Sequence, residues 1–301
     1  MPSLTGLRER SSLPGLNKLH RAGRSGRLSL FFKKRDEKTI LYDSFSTIPM
    51  QAFQPFYPDG TGCAYTYLVN PTGGLVAGDM IDIDVTLDEN AHVFITSPSA
   101  TRVYRSTGEV SSQSTEITVK RGAVLEYMPG YVIPYSGSRY RQRTEVCMDK
   151  GSTAFILDAF VTGRVATGES LEFGEYGNTT EIVYDGELIL TERLLLKPED
   201  CDYNSLGLLE GNSATAVIYL IFDDQDKEKL ILSGLQSLIE EMKDVLGGVS
   251  TIPAKGVVVR LLGGSVRFIE SAIYKIWSAA RKHISGSEDP LSFRMLNAFS
   301  P

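Results

Sequence analysis

Short stretches in which apolar and polar residues alternate, each closed by Gly, Pro, Asn or Asp, recur along this chain and limit its fold more than any other feature. Alternation of period two puts successive side chains on opposite faces of an extended strand, so each stretch has one face to bury. The first begins at Arg27, where Leu28, Leu30 and Phe32 share a side. Ala64–Val69, Met80–Leu87, His92–Thr96, Gln113–Val119, Val124–Met128, Arg141–Met148, Thr153–Phe160, Ser170–Tyr176, Thr179–Tyr184 and Glu187–Leu196 read as further strands. Turn signals at Asp88-Glu89-Asn90, Arg121-Gly122, Asp149-Lys150-Gly151 and Asp185-Gly186 lie between neighbours at hairpin spacing. That spacing predicts antiparallel meanders and argues against a parallel α/β architecture.

Two later segments change period. In Lys227–Leu246, Ile231, Leu235, Leu238, Ile239, Met242 and Leu246 recur at steps of three and four, and Gly247-Gly248 supplies a stop, which predicts an amphipathic helix. After a strand expected at Gly256–Leu262, a second helix is expected from Ser265 to His283, with Val266, Ile269, Ile273, Ile276, Trp277 and Ala280 along one side. Such a stripe most often packs on a sheet; the alternative is partner contact, for which Ile273 and Trp277 are the candidates. The expected fold is thus mainly β and antiparallel-rich, with two amphipathic helices in the C-terminal third. No internal repeat stands out.

Composition excludes several classes. With 42% hydrophobic and 23% charged residues the chain is that of a folded globular protein, and no apolar run nears the roughly 20 residues of a membrane span. Net charge is −6, but residues 1–38 hold ten Lys/Arg against three Asp/Glu, leaving −13 on the rest. An acidic body of this kind offers no concentrated basic face for nucleic acid. Residues 1–26 are read as a flexible basic extension and 27–301 as a single domain. Cys63, Cys147 and Cys201 are far apart without CxxC spacing, which fits a reducing cytoplasm. His20, His92 and His283 are isolated in sequence, which disfavours a zinc hydrolase.

The loop Asn70-Pro71-Thr72-Gly73-Gly74-Leu75-Val76-Ala77-Gly78-Asp79 is glycine-rich, yet it lacks the Lys-Ser/Thr of a phosphate-binding loop and leads into a strand. Its glycines are expected to provide positive-φ turns, with Asp79 bonding its own loop. No GxSxG elbow is present. Asp79, Glu126, Asp158 and Glu169 lie in or beside strands where they can point inward. Paired carboxylates for glycoside chemistry are one reading; the plainer one is that each is satisfied by a neighbour such as Arg102, Arg105 or Arg164.

That loop is one of seven segments that carry a resemblance. The others are Phe56-Tyr57-Pro58, Thr96 to Ser106 (TSPSATRVYRS), Gly122 to Pro129 (GAVLEYMP), Gly163 to Glu169 (GRVATGE), Glu192-Arg193-Leu194, and Val259 to Gly263 (VRLLG). In order and spacing they resemble the signatures of the UreD family of urease accessory proteins, also called UreH, over nearly all of residues 27–285. The resemblance implies a non-enzymatic protein with a β-helix-like stack of strands and two helices. It would bind urease apoprotein and, with UreF and the GTPase UreG, help deliver nickel to the urease active site. Nickel would pass through the interior and not sit in one tight site, so no tightly bound cofactor is expected and Ni²⁺ would be transient. Asp79, Glu126, Asp158 and Glu169 become candidates for that path, because oxygen ligands hold Ni²⁺ more weakly than imidazole or thiolate. The alternative is a carbohydrate-active β-helix enzyme using paired carboxylates. Two departures from the family pattern are Gly130-Tyr131, where many members carry an acidic or amide residue, and Phe293-Arg294-Met295, where an Arg-Xaa-Trp ending is common.

Overall fold

The computed structural model describes residues 25–253 and 255–284. Most of the basic extension and the Phe293-Arg294-Met295 segment lie outside the described residues. Among the described residues seventeen strands form two sheets. The seven-stranded sheet runs, in spatial order, β14 (Glu187–Leu196), β13 (Glu175–Tyr184), β11 (Arg139–Met148), β8 (Ser111–Val119), β5 (Met80–Leu87), β1 (Ser25–Arg35) and β2 (Lys38–Ser46). The ten-stranded sheet runs β16 (Val245–Ile252), β17 (Gly256–Gly263), β15 (Ala214–Ile221), β12 (Thr153–Val161), β9 (Val124–Met128), β6 (His92–Thr96), β4 (Ala64–Val69) and β3 (Gln51–Ala52), with β10 (Val132–Pro134) and β7 (Thr101–Val103) paired beside it.

From β4 to β13 the chain alternates between the sheets, laying one strand on each per circuit and stacking the next circuit in parallel. Strands β5, β8, β11 and β13 pair this way in one sheet, and β4, β6, β9 and β12 in the other. The mainly β, solenoid-like stack with two helices agrees with the expected class, while the antiparallel meanders expected from the turns give way to parallel pairing within the stack. Antiparallel pairs flank the stack, at β1/β2, β13/β14, β12/β15, β15/β17 and β16/β17, and at β3/β4. Of the four turns read as hairpins only Asp185-Gly186 is one; the other three turn the chain from one sheet to the other. A tight turn rich in Gly, Asn and Asp reverses direction or rounds a corner with the same residues, so its chemistry does not choose between them.

Parallel stacking in register aligns equivalent side chains into rows. Val85, Ile117, Val146 and Ile182 form one such row across β5, β8, β11 and β13, all buried between the sheets. On its other face the ten-stranded sheet is covered by α1 (Gln225–Glu240) and α2 (Val266–Ile284). Asp224 caps α1 by accepting from the backbone N–H groups of Asp226 and Lys227, and Ile231, Leu235 and Ile239 bury its apolar stripe. The expected helix ran on to Leu246; in the structure the chain turns after Glu241, and Leu246 and Gly247 lie in edge strand β16 with Leu246 exposed. Leu246 continues the helical spacing by coincidence. Among the described residues no helix is long and apolar enough to cross a membrane.

The glycine-rich loop joins β4 to β5 and has the expected positive φ at Gly73 (83°), Gly74 (154°) and Gly78 (78°). A Cβ on Gly74 would lie 2.4 Å from the Arg102 carbonyl oxygen, whereas one on Gly73 would meet nothing nearer than 3.9 Å. We expect Gly74→Val to lower stability by about 3 kcal/mol or more and Gly73→Val by about 1–2 kcal/mol, measured by denaturant unfolding. Equal losses at the two positions would show that φ alone, and not the close approach of Arg102, constrains this loop.

Candidate functional site

Two polar groupings stand out, one on each side of the ten-stranded sheet. The first lies between the sheets. Gln113, Gln142 and Asn178 are register partners on β8, β11 and β13, and Thr115, Thr144 and Thr180 form the next row along. A solenoid row repeats whatever side chain each circuit supplies, so a polar residue at the same position in three circuits makes a continuous polar strip through an otherwise apolar interior. Asp158 on β12 faces this strip from the opposite sheet: Gln142 Nε2 donates to Asp158 Oδ1 at 3.1 Å, and Asn178 Nδ2 donates to Asp158 Oδ2. Burial pushes the Asp158 carboxyl up to about 6, opposed by the Asn178 hydrogen bond and reinforced by the charge of Glu192.

Two adjoining cavities follow the strip. One of about 30 Å³ is lined by Gln142, Thr144, Asp158 and Thr180 among others. The second, about 70 Å³, extends towards Asn70, Gly73, Gly74 and Ser97 to Thr101. They share Thr101, Gln113, Tyr127 and Pro129 as walls. Both exceed the roughly 15 Å³ that admits a water, and their walls offer amide, hydroxyl and carboxylate oxygens.

The second grouping is on the helix side. Register puts Tyr65, Phe94, Glu126, Phe155 and Leu220 in one row, so Glu126 is a carboxylate set among apolar and aromatic neighbours. It survives burial because its oxygens are fully engaged. His92 Nε2 lies 2.7 Å from Oε1, Arg281 Nε donates to Oε1 at 3.3 Å, and Trp277 Nε1 donates to Oε2 at 2.5 Å. Burial alone would raise the Glu126 carboxyl; the His92 hydrogen bond and the Arg281 charge outweigh it and hold it below its ordinary value. Arg281 also donates to Asp59 Oδ2 at 2.6 Å and to the Tyr65 hydroxyl, and the side chains of Arg281, Asp59 and Glu126 are at most 1% exposed. For Asp59, burial is overcome by hydrogen bonds from Tyr65, Thr61 and Arg281, and its carboxyl falls to about 2.

The four carboxylates singled out in the sequence therefore do not line one passage. Asp158 faces the interior strip, and Glu126 faces the helices. Asp79 closes its own loop, accepting from the Val76 N–H at 2.9 Å. Glu169 accepts from the Ser136 N–H at 2.9 Å and pairs with Arg164, which holds its carboxyl low. Asp158 and Glu126 lie on opposite sides of the ten-stranded sheet, and no two of the four share a partner. Ile273 and Trp277, candidates for partner contact, are 5% and 0% exposed and pack on the sheet; this correction follows from Trp277 spending its N–H on Glu126. Sequence reading missed Gln113, Gln142 and Asn178, although a signal exists in the triplets Gln113-Ser114-Thr115, Gln142-Arg143-Thr144 and Asn178-Thr179-Thr180. It also missed Asp59, Arg281 and the meeting of Cys63 with His92, for which the sequence carries no local signal.

Comparison with known proteins gives a consistent result. The family described as UreD urease accessory protein matches residues 24–294. A urease accessory protein UreD of Acetivibrio thermocellus is 33% identical over 83% of this chain and 95% of its own length. One from Cenarchaeum symbiosum is 27% identical over 90% of this chain and 96% of its own, and one from Actinomyces naeslundii 31% identical over 79% and 87%.

Two outcomes are expected from the geometry. Arg281→Met leaves Asp59 and Glu126 buried without their guanidinium, and should lower stability by about 3–5 kcal/mol in denaturant unfolding. A loss under 1 kcal/mol would mean that the ion triad is not formed in solution. For Asp158 the folded carboxyl titrates near 6 against 3.8 for the ordinary group, so the folded state holds its proton more tightly. Its contribution to stability falls as pH rises through that window and is lowest above it. Asp158→Asn should therefore raise stability at pH 8, by up to about 3 kcal/mol for a carboxyl moved from 3.8 to about 6, and change it little at pH 4. A gain at pH 4 that vanishes at pH 8 would contradict the burial argument.

Proposed function

Because the chain belongs to the UreD urease accessory protein family, we propose that it is a urease maturation factor that binds urease apoprotein and, with UreF and the GTPase UreG, helps deliver nickel to the urease active site in the cytoplasm. It acts as a scaffold and a passage, not as an enzyme. The observation that best supports the passage is the strip of Gln113, Gln142, Asn178 and the paired threonines facing Asp158 beside two adjoining cavities.

Its chemistry suits transit. Amide and hydroxyl oxygens with one carboxylate are hard, weakly held ligands for Ni²⁺, so a cation exchanges along them where imidazoles and thiolates would retain it. A neutral Asp158 at acidic pH offers less attraction than its anion at neutrality and above, so passage is favoured as pH rises past 6. The walls at Leu75, Ile81, Ile83 and Ile156 are apolar, which leaves the strip as the polar route.

The test is maturation of urease in a host that supplies urease apoprotein, UreF and UreG but lacks its own UreD. Replacing Gln142 and Asp158 together by Leu should cut the nickel content of purified urease several-fold while co-purification with UreF and urease is unchanged. Normal nickel content with the double variant folded would defeat the passage. Failure of the unmodified chain to support maturation with its matched partners would defeat the maturation role itself.

A further inference from the structure

Cys63, His92 and Glu126 are distant in sequence, yet the Cys63 thiol, the His92 imidazole and the Glu126 carboxylate present ligand atoms that all lie within 4.8 Å of one another. Cys63 directly precedes β4, whose Ala64 pairs with Val93, so the thiol falls beside His92 at the start of β6. Glu126 comes from the next strand, β9. Ligands about 2.0–2.3 Å from a tetrahedral metal sit roughly 3.5 Å apart, a small adjustment from this spacing. Cys63 and Glu126 are fully buried, and His92, with 14% of its side chain exposed, forms the way in.

We propose that Cys63, His92 and Glu126 bind one divalent first-row transition-metal ion on the helix side of the ten-stranded sheet, separate from the interior strip. A sulfur, nitrogen and oxygen set selects ions such as Zn²⁺, Co²⁺ or Ni²⁺ over Mg²⁺ or Ca²⁺. The surroundings match the ion's charge. Asp59 and Glu126 bring two negative charges and Arg281 one positive; a Cys63 thiolate adds a third negative charge, and a divalent cation then makes the buried set neutral. Loading releases the thiol proton, shifts the His92 ring proton from Nε2 to Nδ1 so that Nε2 can ligate, and replaces the hydrogen bond between His92 Nε2 and Glu126 Oε1, while Trp277 Nε1 and Arg281 Nε stay on the carboxylate and fix its orientation. This inference does not depend on the urease reading.

The probe is Co²⁺ added to the full chain, because thiolate ligation gives a sulfur-to-cobalt charge-transfer absorption that oxygen ligands do not. One equivalent should develop the band. Cys63→Ala should abolish it, and His92→Gln should weaken Co²⁺ binding at least tenfold. The double variant Cys147→Ala/Cys201→Ala, which leaves Cys63 as the sole thiol, should retain it. Asp158→Asn, on the other side of the sheet, should leave it unchanged. No band with the folded unmodified chain, a band surviving in Cys63→Ala, or its loss in the Cys147→Ala/Cys201→Ala variant would overturn the site, and the last of these serves if Cys63→Ala does not fold.

Discussion

The guanidinium of Arg281 reaches from the last turn of α2 to Asp59 in the loop before β4 and to Glu126 in the middle of the ten-stranded sheet. Three charged groups withdrawn from water are tolerated only because each is hydrogen-bonded to the others or to Tyr65, Trp277 and His92. Apolar packing of Ile269, Ile273 and Ile276 would hold the helix to the sheet in many azimuths. The triad admits one, and so it sets where the helix layer sits and which face of the sheet is sealed.

With that face sealed, the other becomes the interior of the stack. The two sides differ in kind. On the helix side Glu126, Asp59, Arg281, His92 and Trp277 converge on one cluster; between the sheets the polar groups are spread along a row and border open volume. The difference follows from strand parity, since neighbouring residues on a strand face opposite sides. Glu126 and Tyr127 are adjacent on β9, yet Glu126 meets Trp277 while Tyr127 lines both cavities. A one-residue slip in any circuit would exchange the two environments and leave a carboxylate without its partners.

Much of the strand inventory was legible because alternation reports burial directly: Leu28, Leu30 and Phe32 are all buried as expected. Strand direction was not legible, since Asn90 with φ of 60° turns a corner with the same residue preferences a hairpin uses. The end of α1 was misplaced because Leu246 kept the helical interval while belonging to β16. For the sites the limit was different in nature. Convergence of Cys63 with His92 and Glu126 depends on the pairing of β4, β6 and β9, and their sequence separation made them look isolated. The polar strip left a faint trace, an amide, any residue, then threonine, in three strands, which gains meaning only once those strands are known to stack in register.

The central claim is that the two faces of one sheet carry separate chemistry: transit between the sheets and a fixed, helix-clasped cluster outside them. The most direct measurement is nickel per active site, by elemental analysis, in urease matured with a Thr144→Leu chain and with a Cys63→Ala chain under matched expression. Thr144 lines the interior cavity and Cys63 does not. The account predicts nickel-depleted urease with Thr144→Leu and normal loading with Cys63→Ala. Depletion with Cys63→Ala and normal loading with Thr144→Leu, both variants being folded and bound to urease, would contradict it.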